Sequence, residues 1–233
     1  GPSLSVRVGR IEAREPSGRQ VWYLAGGPGG SGVTILSAIA ERLGRPDLDL
    51  YAVDHRGTGG SAALRCPDAE TDDSPGGPLV VAEEGPACAA LISATRPDLA
   101  ALTPSQSARD LGVLIDRLGG GAQVVLYGNS YGTFWAHRAL QLIPDRVDGA
   151  VLEALVPPDF TYHEFDWWMN EVGLQLLQGC ASSPICQAHL GDDAVGKAQG
   201  LRALLAGGHC PDLALSSPLH LMLGYLLYDN QTR

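Results

Sequence analysis

Three times in its first 130 residues this chain runs a short apolar segment straight into a glycine-rich loop. The segments are 20–25 (Gln-Val-Trp-Tyr-Leu-Ala), 48–54 (Leu-Asp-Leu-Tyr-Ala-Val-Asp) and 123–128 (Gln-Val-Val-Leu-Tyr-Gly). Short, nearly continuous apolar runs bounded by turn formers read as strands covered on both faces. Residues 4–13 alternate apolar and polar, and residues 147–155 complete the set. Between these segments lie helical patterns. One covers 31–43. Thr103-Pro104 makes an N-cap and N1 pair for a second, with Ala108, Leu111, Leu114, Ile115 and Leu118 on one face. A third covers 131–143 and is stopped by Pro144. Strands alternating with helices predict an α/β fold: a mostly parallel sheet with helices on both faces.

After Pro158 the texture changes. Only Thr161, Val172, Ile185, Val195 and Thr232 are β-branched in that last third, where Leu, Gln and Ala dominate. This part reads as helical, a partial cap or lid over 158–233 laid on a core over 4–157. With 233 residues and about 150 residues per domain, one domain plus an insertion is the expected size. At 45% hydrophobic and 18% charged residues the chain is no disordered polymer. Sixteen basic against 26 acidic residues leave a net charge of −10 with no basic cluster, which argues against a nucleic-acid partner. The longest apolar stretch, 219–228, contains His220 and is about half the roughly 20 residues a spanning helix needs, so no membrane span is expected.

Five cysteines stand at 66, 88, 180, 186 and 210. Cys66 and Cys88 bracket a Pro/Gly/Asp-rich loop, and Cys180 and Cys186 bracket Ala-Ser-Ser-Pro-Ile. Neither pair has CxxC spacing and no HExxH occurs, so no metal site is expected. The reading is two loop-stapling disulfides formed in an oxidising compartment, which makes the protein secreted or periplasmic. Arginine fills every basic position except Lys197, an association with GC-rich bacterial sources. Cys210 is left over.

The chemistry lies in the three loops. Gly128-Asn129-Ser130-Tyr131-Gly132 matches G-x-S-x-G. The pattern is short, and its weight comes from the apolar strand before it and the helix after it, the strand–turn–helix of a nucleophile elbow. In such a turn the two glycines stand where side chains would collide with the neighbouring strand and helix. Gly26-Gly27-Pro28-Gly29-Gly30 lets main-chain N–H groups approach a ligand, as a tetrahedral oxyanion requires. It is no phosphate loop, since G-x-x-x-x-G-K-[ST] and any nearby lysine are absent, and Pro28 interrupts a dinucleotide fingerprint. No cofactor is expected. Asp54-His55-Arg56-Gly57-Thr58-Gly59-Gly60-Ser61 reads as a charged turn in which Asp54 and Arg56 brace the loops beneath the site.

Taken together and in this order, the loops resemble the proline iminopeptidase and tripeptidyl aminopeptidase family of α/β-hydrolases, with its GGPGG oxyanion loop, D-x-RG-x-G-x-S turn and G-x-S-x-G elbow. The resemblance spans about residues 21–158 and takes in the Asp145-Arg146-Val147-Asp148 turn. It implies an α/β-hydrolase fold with Ser130 as nucleophile and Gly27 and Tyr131 as oxyanion donors. The implied activity is a serine exopeptidase acting at free peptide N-termini. Ala25 stands where many relatives have His, as in the tripeptidyl branch, and His55 where they commonly have Gln.

The serine still needs a base and an orienting acid, which in this fold follow it in the order Asp/Glu, then His. His137 falls two turns into the helix after Ser130, pointing away from the elbow. His163, His189, His209 and His220 lie in the helical third with no strand to present them, and so do Asp159, Asp166, Asp192, Asp193 and Asp212. The resembled family continues past its cap into two further strands carrying the acid and the base. The expectation is therefore that these last strands come from a second chain of the same precursor, which also pairs Cys210. The polar end Asp229-Asn230-Gln231-Thr232-Arg233 suits nicking by a trypsin-like protease. Glu153, Glu164 and Asp166 are the candidates to hold a substrate's α-ammonium group, while Trp167 and Trp168 are expected to pack in a core. Two other functions fit the same loops: an esterase for a small natural product, and a non-catalytic hydrolase-like fragment that binds a ligand.

Overall fold

The structure is a computed structural model that describes residues 4–161 and 164–209. Cys210, His163, Asp212, His220, the 219–228 run and the polar end lie outside the described residues, and the side chain of Asp166 is not described. The chain divides into two compact units, Gly1–Phe160 and Thr161–Arg233.

The first unit is built on five strands: β1 (Val8–Ile11), β2 (Arg19–Leu24), β3 (Leu48–Val53), β4 (Gln123–Asn129) and β5 (Gly149–Glu153). Their order across the sheet is β1-β3-β2-β4-β5. β1 runs antiparallel to β3 and the other neighbours are parallel. Parallel neighbours need crossovers, which helices α1 (Gly32–Leu43), α3 (Pro104–Leu118) and α4 (Tyr131–Leu142) supply. This is the mostly parallel α/β sheet expected from the alternation of strands and helices, with the outer strands shorter than the segments 4–13 and 147–155 that announced them.

The central strands alternate, and both alternating sets are buried. Trp22 and Leu24 of β2, Tyr51 and Val53 of β3, and Val124 and Leu126 of β4 join Leu111, Ile115, Trp135 and Ala139 of α3 and α4. Tyr23, Leu50, Ala52 and Tyr127 join Leu36 and Ile39 of α1. Helices thus cover both faces, which is why the strands read as apolar runs rather than as alternating ones. Trp22 and Tyr51 stack across neighbouring strands with ring centroids 4.4 Å apart. Each such fully buried side chain contributes about 1.5–3 kcal/mol.

The Thr103-Pro104 cap is the one the sequence spelled out. The Thr103 hydroxyl accepts from Gln106 N at 3.2 Å and Pro104 opens α3. The Ser31 hydroxyl accepts from Thr34 N at 3.2 Å at the start of α1, and Gly44 ends it in the left-handed region at φ 58°. Removing such a hydroxyl costs about 1 kcal/mol. One helix, α2 (Gly85–Thr95), lies inside the stretch read as loop. It buries no residue, so no amphipathic stripe marks it in the sequence. Cys88 lies in its first turn and is disulfide-bonded to Cys66.

In the second unit the described residues form α5 (Phe165–Gly179), α6 (Pro184–Leu190) and α7 (Ala194–Ala206). The Asp193 carboxylate caps α7 by accepting from Gly196 N at 2.8 Å. Cys180 and Cys186 are disulfide-bonded at the α5–α6 corner. Trp167 and Trp168 do not pack in a core as expected: they are 55% and 48% exposed and meet edge to face at 4.6 Å.

Candidate active site

Residues 128–132 form the turn from β4 into α4. Ser130 sits there at φ 52°, ψ −120°, a left-handed conformation that costs a non-glycine residue about 1–3 kcal/mol. The strain persists because the surroundings over-determine it. Ser130 N donates to Glu153 O at the end of β5 (2.9 Å), and Ser130 O accepts from Thr133 N (2.8 Å) and Thr133 Oγ1 (2.7 Å). Thr133 is fully buried, and its hydroxyl in turn accepts from Val156 N at 2.8 Å. The flanking glycines are required as expected: a Cβ on Gly128 would meet Gly132 O at 2.6 Å, and one on Gly132 would strike β2.

The glycine loop after β2 comes up beside this turn. A Cβ on Gly26 would lie 3.0 Å from the Ser130 Cβ. The loop closes on itself through Gly30 N donating to Gly26 O at 3.0 Å, which leaves Gly27 at its crown with φ 122°. Any side chain there would run into Gly29 N at 2.3 Å. Tyr131, the other expected donor, is the first residue of α4, whose opening N–H groups point off the helix end. Both candidate donors thus lie near the serine at the carboxyl ends of β2 and β4, Gly27 next to the glycine that approaches Ser130 and Tyr131 directly after it in the chain.

The third loop is a brace. Asp54 is fully buried and accepts three hydrogen bonds: from Ser31 Oγ (2.8 Å) and Val33 N (3.2 Å) at the start of α1, and from Gly60 N (2.9 Å). Arg56 donates to both oxygens of Asp110 on α3 (2.8 and 2.6 Å) and to Ala101 O (2.9 Å). Ser61, at the end of the motif, donates to Asp54 O at 2.5 Å and accepts from Arg7 N at 2.7 Å. Asp54 and Arg56 thus hold the loops beneath the site, as the sequence reading had it.

Glu153 is already engaged. Its carboxylate accepts from the Tyr127 hydroxyl and from Arg42 of α1 at 2.5 Å. The tyrosine hydroxyl and then the guanidinium bond its charged form and hold the carboxyl below the usual range. Burial, and then that carboxylate, push the Tyr127 hydroxyl upward. Glu164 is exposed, at the residue before α5, and makes no side-chain cap. Among the described residues no histidine hydrogen-bonds to Ser130. His137 lies in α4 with its Nε2 buried and without a partner, and the ring nitrogens of His55 face main-chain carbonyls, of which Pro28 O is the nearer. His189 lies on α6 and His209 just beyond α7. Among the described residues, too, no group of three or more His, Cys, Asp or Glu is placed to hold a metal ion, and no helix is long and apolar enough to cross a membrane.

Sequence reasoning passed over Thr133, Ser61 and the Arg42–Glu153–Tyr127 cluster. Ser61 was readable as the last position of the D-x-R-G-x-G-x-S turn. The cluster joins residues 111 and 26 positions apart and leaves no local pattern.

The family described as having the α/β-hydrolase fold matches residues 21–175. No curated protein matches the chain. Among solved structures, it is similar to an esterase from a marine microorganism at 19% identity and a TM-score of 0.45, over 74% of this chain and 51% of that one. An esterase from Exiguobacterium antarcticum matches at 18% identity and 0.42, over 74% and 53%. An epoxide hydrolase from Vigna radiata matches at 17% identity and 0.41, over 72% and 41%. The chain spans about half the length of the two esterases.

Proposed function

The chain belongs to the α/β-hydrolase fold family, and on that premise we propose that it is a serine hydrolase whose acyl-enzyme forms on Ser130. The observation that carries this reading is the elbow itself. A serine is held at φ 52° between a buried strand and a helix, with the Gly26–Gly30 loop against its Cβ. In the reading, Ser130 Oγ attacks a carbonyl carbon, and the N–H groups of Gly27 and Tyr131 hold the resulting oxyanion. The leaving group departs to give the acyl-enzyme, which water then hydrolyses.

The substrate class proposed is a peptide with a free N-terminus. It rests on the order and wording of the three loops, which resemble the proline iminopeptidase and tripeptidyl aminopeptidase branch. The base and its acid come, in this proposal, from a further segment of the same precursor that lies beyond β5. Two facts support that placement. β5 pairs with β4 on one side and leaves Val151 54% exposed, and no described histidine reaches the serine. The two disulfides favour a secreted or periplasmic location.

Hydrolysis of small esters is a second reading, and Glu153 favours it. An α-ammonium group needs a free carboxylate, and this one is held by Arg42 and Tyr127. Tripeptidyl and prolyl arylamides run against p-nitrophenyl esters on the full-length protein separate the two. Ser130→Ala is expected to abolish turnover of whichever is cleaved, together with labelling by a fluorophosphonate. Labelling that survives the substitution rules out the acyl-enzyme, and absent labelling in the parent favours a binding module.

A further inference from the structure

His55 follows Asp54 directly after β3, and its ring reaches across to the glycine loop. Nε2 lies 2.7 Å from Pro28 O, and Nδ1 lies 3.1 Å from Arg56 O. A carbonyl oxygen only accepts, so the shorter contact puts a proton on Nε2, which donates to Pro28. The same ring also lies against α4. Its centroid is 5.4 Å from that of Tyr131 and 5.3 Å, edge to face, from that of the buried Trp135.

Gly27 sits between two ties. One is the Gly30 N to Gly26 O bond, and the other is His55 on Pro28 O. Its positive φ and the glycines around it make this stretch of main chain soft, with Pro28 alone fixing its own φ and narrowing the choices of Gly27. A donor that is to meet an oxyanion must be fixed before charge develops. We infer that His55 is a positioning residue that fixes the two sides of the oxyanion hole relative to one another. Its Nε2–H holds the carbonyl of the Pro28–Gly29 peptide and so anchors the C-terminal side of the short loop that presents Gly27, and its ring packs on Tyr131, the residue carrying the second donor. This rests on the acyl-enzyme reading of Ser130.

His55 acts through main-chain groups, so losing its hydrogen bond lowers the rate of the step in which the oxyanion forms and leaves ground-state binding alone. Three variants of the full-length protein separate the bond from the packing. His55→Phe keeps a ring against Tyr131 and Trp135 but has no donor. His55→Gln keeps an N–H donor but no ring. Ser130→Ala reports on the underlying reading. The probe is the second-order rate of fluorophosphonate labelling, alongside kcat and KM on a p-nitrophenyl ester or whichever arylamide is turned over.

The expected result is a fall of about tenfold or more in labelling rate and kcat for His55→Phe, below the 10²–10³ for removing an oxyanion donor outright. KM should stay within about twofold, and His55→Gln should recover most of the loss, with thermal midpoints of the two variants close together. A His55→Phe enzyme with parental kcat and labelling overturns the inference. So does a His55→Gln enzyme as impaired as His55→Phe. Labelling that survives Ser130→Ala, or is absent from the parent, overturns the inference together with the reading beneath it.

Discussion

The α-carbon of Gly132 lies so close to Leu24 that a Cβ there would stand 1.9 Å from the Leu24 carbonyl oxygen. The first turn of α4 is thereby pressed onto the end of β2, the strand that feeds the glycine loop. The obstacle is main chain inside the sheet, not the tip of a side chain, so relief requires moving α4 off β2.

Gly132→Ala is therefore expected to cost more than the 1–3 kcal/mol usual for overpacking, about 4 kcal/mol, or to prevent folding. Gly173→Ala, in the middle of α5 where nothing lies within 4 Å of the added methyl, is the contrast. It should be neutral or stabilise by up to about 1 kcal/mol through helix propensity. Denaturant midpoints measured side by side decide it, and equal midpoints would show that the close approach is not there.

Asp54→Asn changes one carboxylate oxygen into a donor. Asp54 Oδ1 faces Ser31 Oγ and Val33 N, while Oδ2 faces Gly60 N, so either orientation of the amide sets a donor against a main-chain donor. The expected loss is about 1–3 kcal/mol for one unsatisfied buried group. Since α1 and the third loop are both tied to this side chain, amide exchange should quicken at Val33 and Gly60 before it does in β4. Unchanged exchange at those two amides would count against the brace.

The three central strands were legible because each runs as an apolar segment into a glycine-rich loop, and the elbow because strand, Ser130 and helix follow one another within a few residues. α2 was not, since a helix that buries nothing carries no apolar period. The exposure of Trp167 and Trp168 was equally hidden, because aromatic content signals burial without saying against what. The His55–Pro28 contact spans 27 positions. It depends on β2 and β3 being neighbours, which the strand pattern alone does not state.

The two disulfides close loops of very different length. Cys66 and Cys88 are 22 positions apart, and Cys180 and Cys186 only 6. If constraint of the unfolded chain dominates, opening the first costs about 3 kcal/mol and the second about 2 kcal/mol. The paired variants Cys66→Ser/Cys88→Ser and Cys180→Ser/Cys186→Ser, followed by thermal unfolding, test the order. A larger loss from the short loop would mean that packing at the α5–α6 corner, not chain entropy, sets the cost.

Acid should unfold the first unit by a route that includes Glu153. The Tyr127 hydroxyl and the Arg42 guanidinium bond its charged form, so its carboxyl titrates lower in the folded protein than in the unfolded chain. The unfolded state then binds the proton more readily, and stability rises with pH across the interval between the two values. The contribution is complete above the ordinary glutamate range, near pH 4–5, and is lost as pH falls through the lower folded value. Asp98, held low by Arg96, and Asp116, held low by Arg146, act in the same direction. Glu153→Gln removes one titrating group while keeping an oxygen for Tyr127. Its midpoint should lie below the parent's at pH 7 and approach it by pH 3, so the two curves converge. Parallel curves from pH 7 to pH 3 would mean that Glu153 titrates alike in both states and that its bonds to Tyr127 and Arg42 do not stabilise the fold.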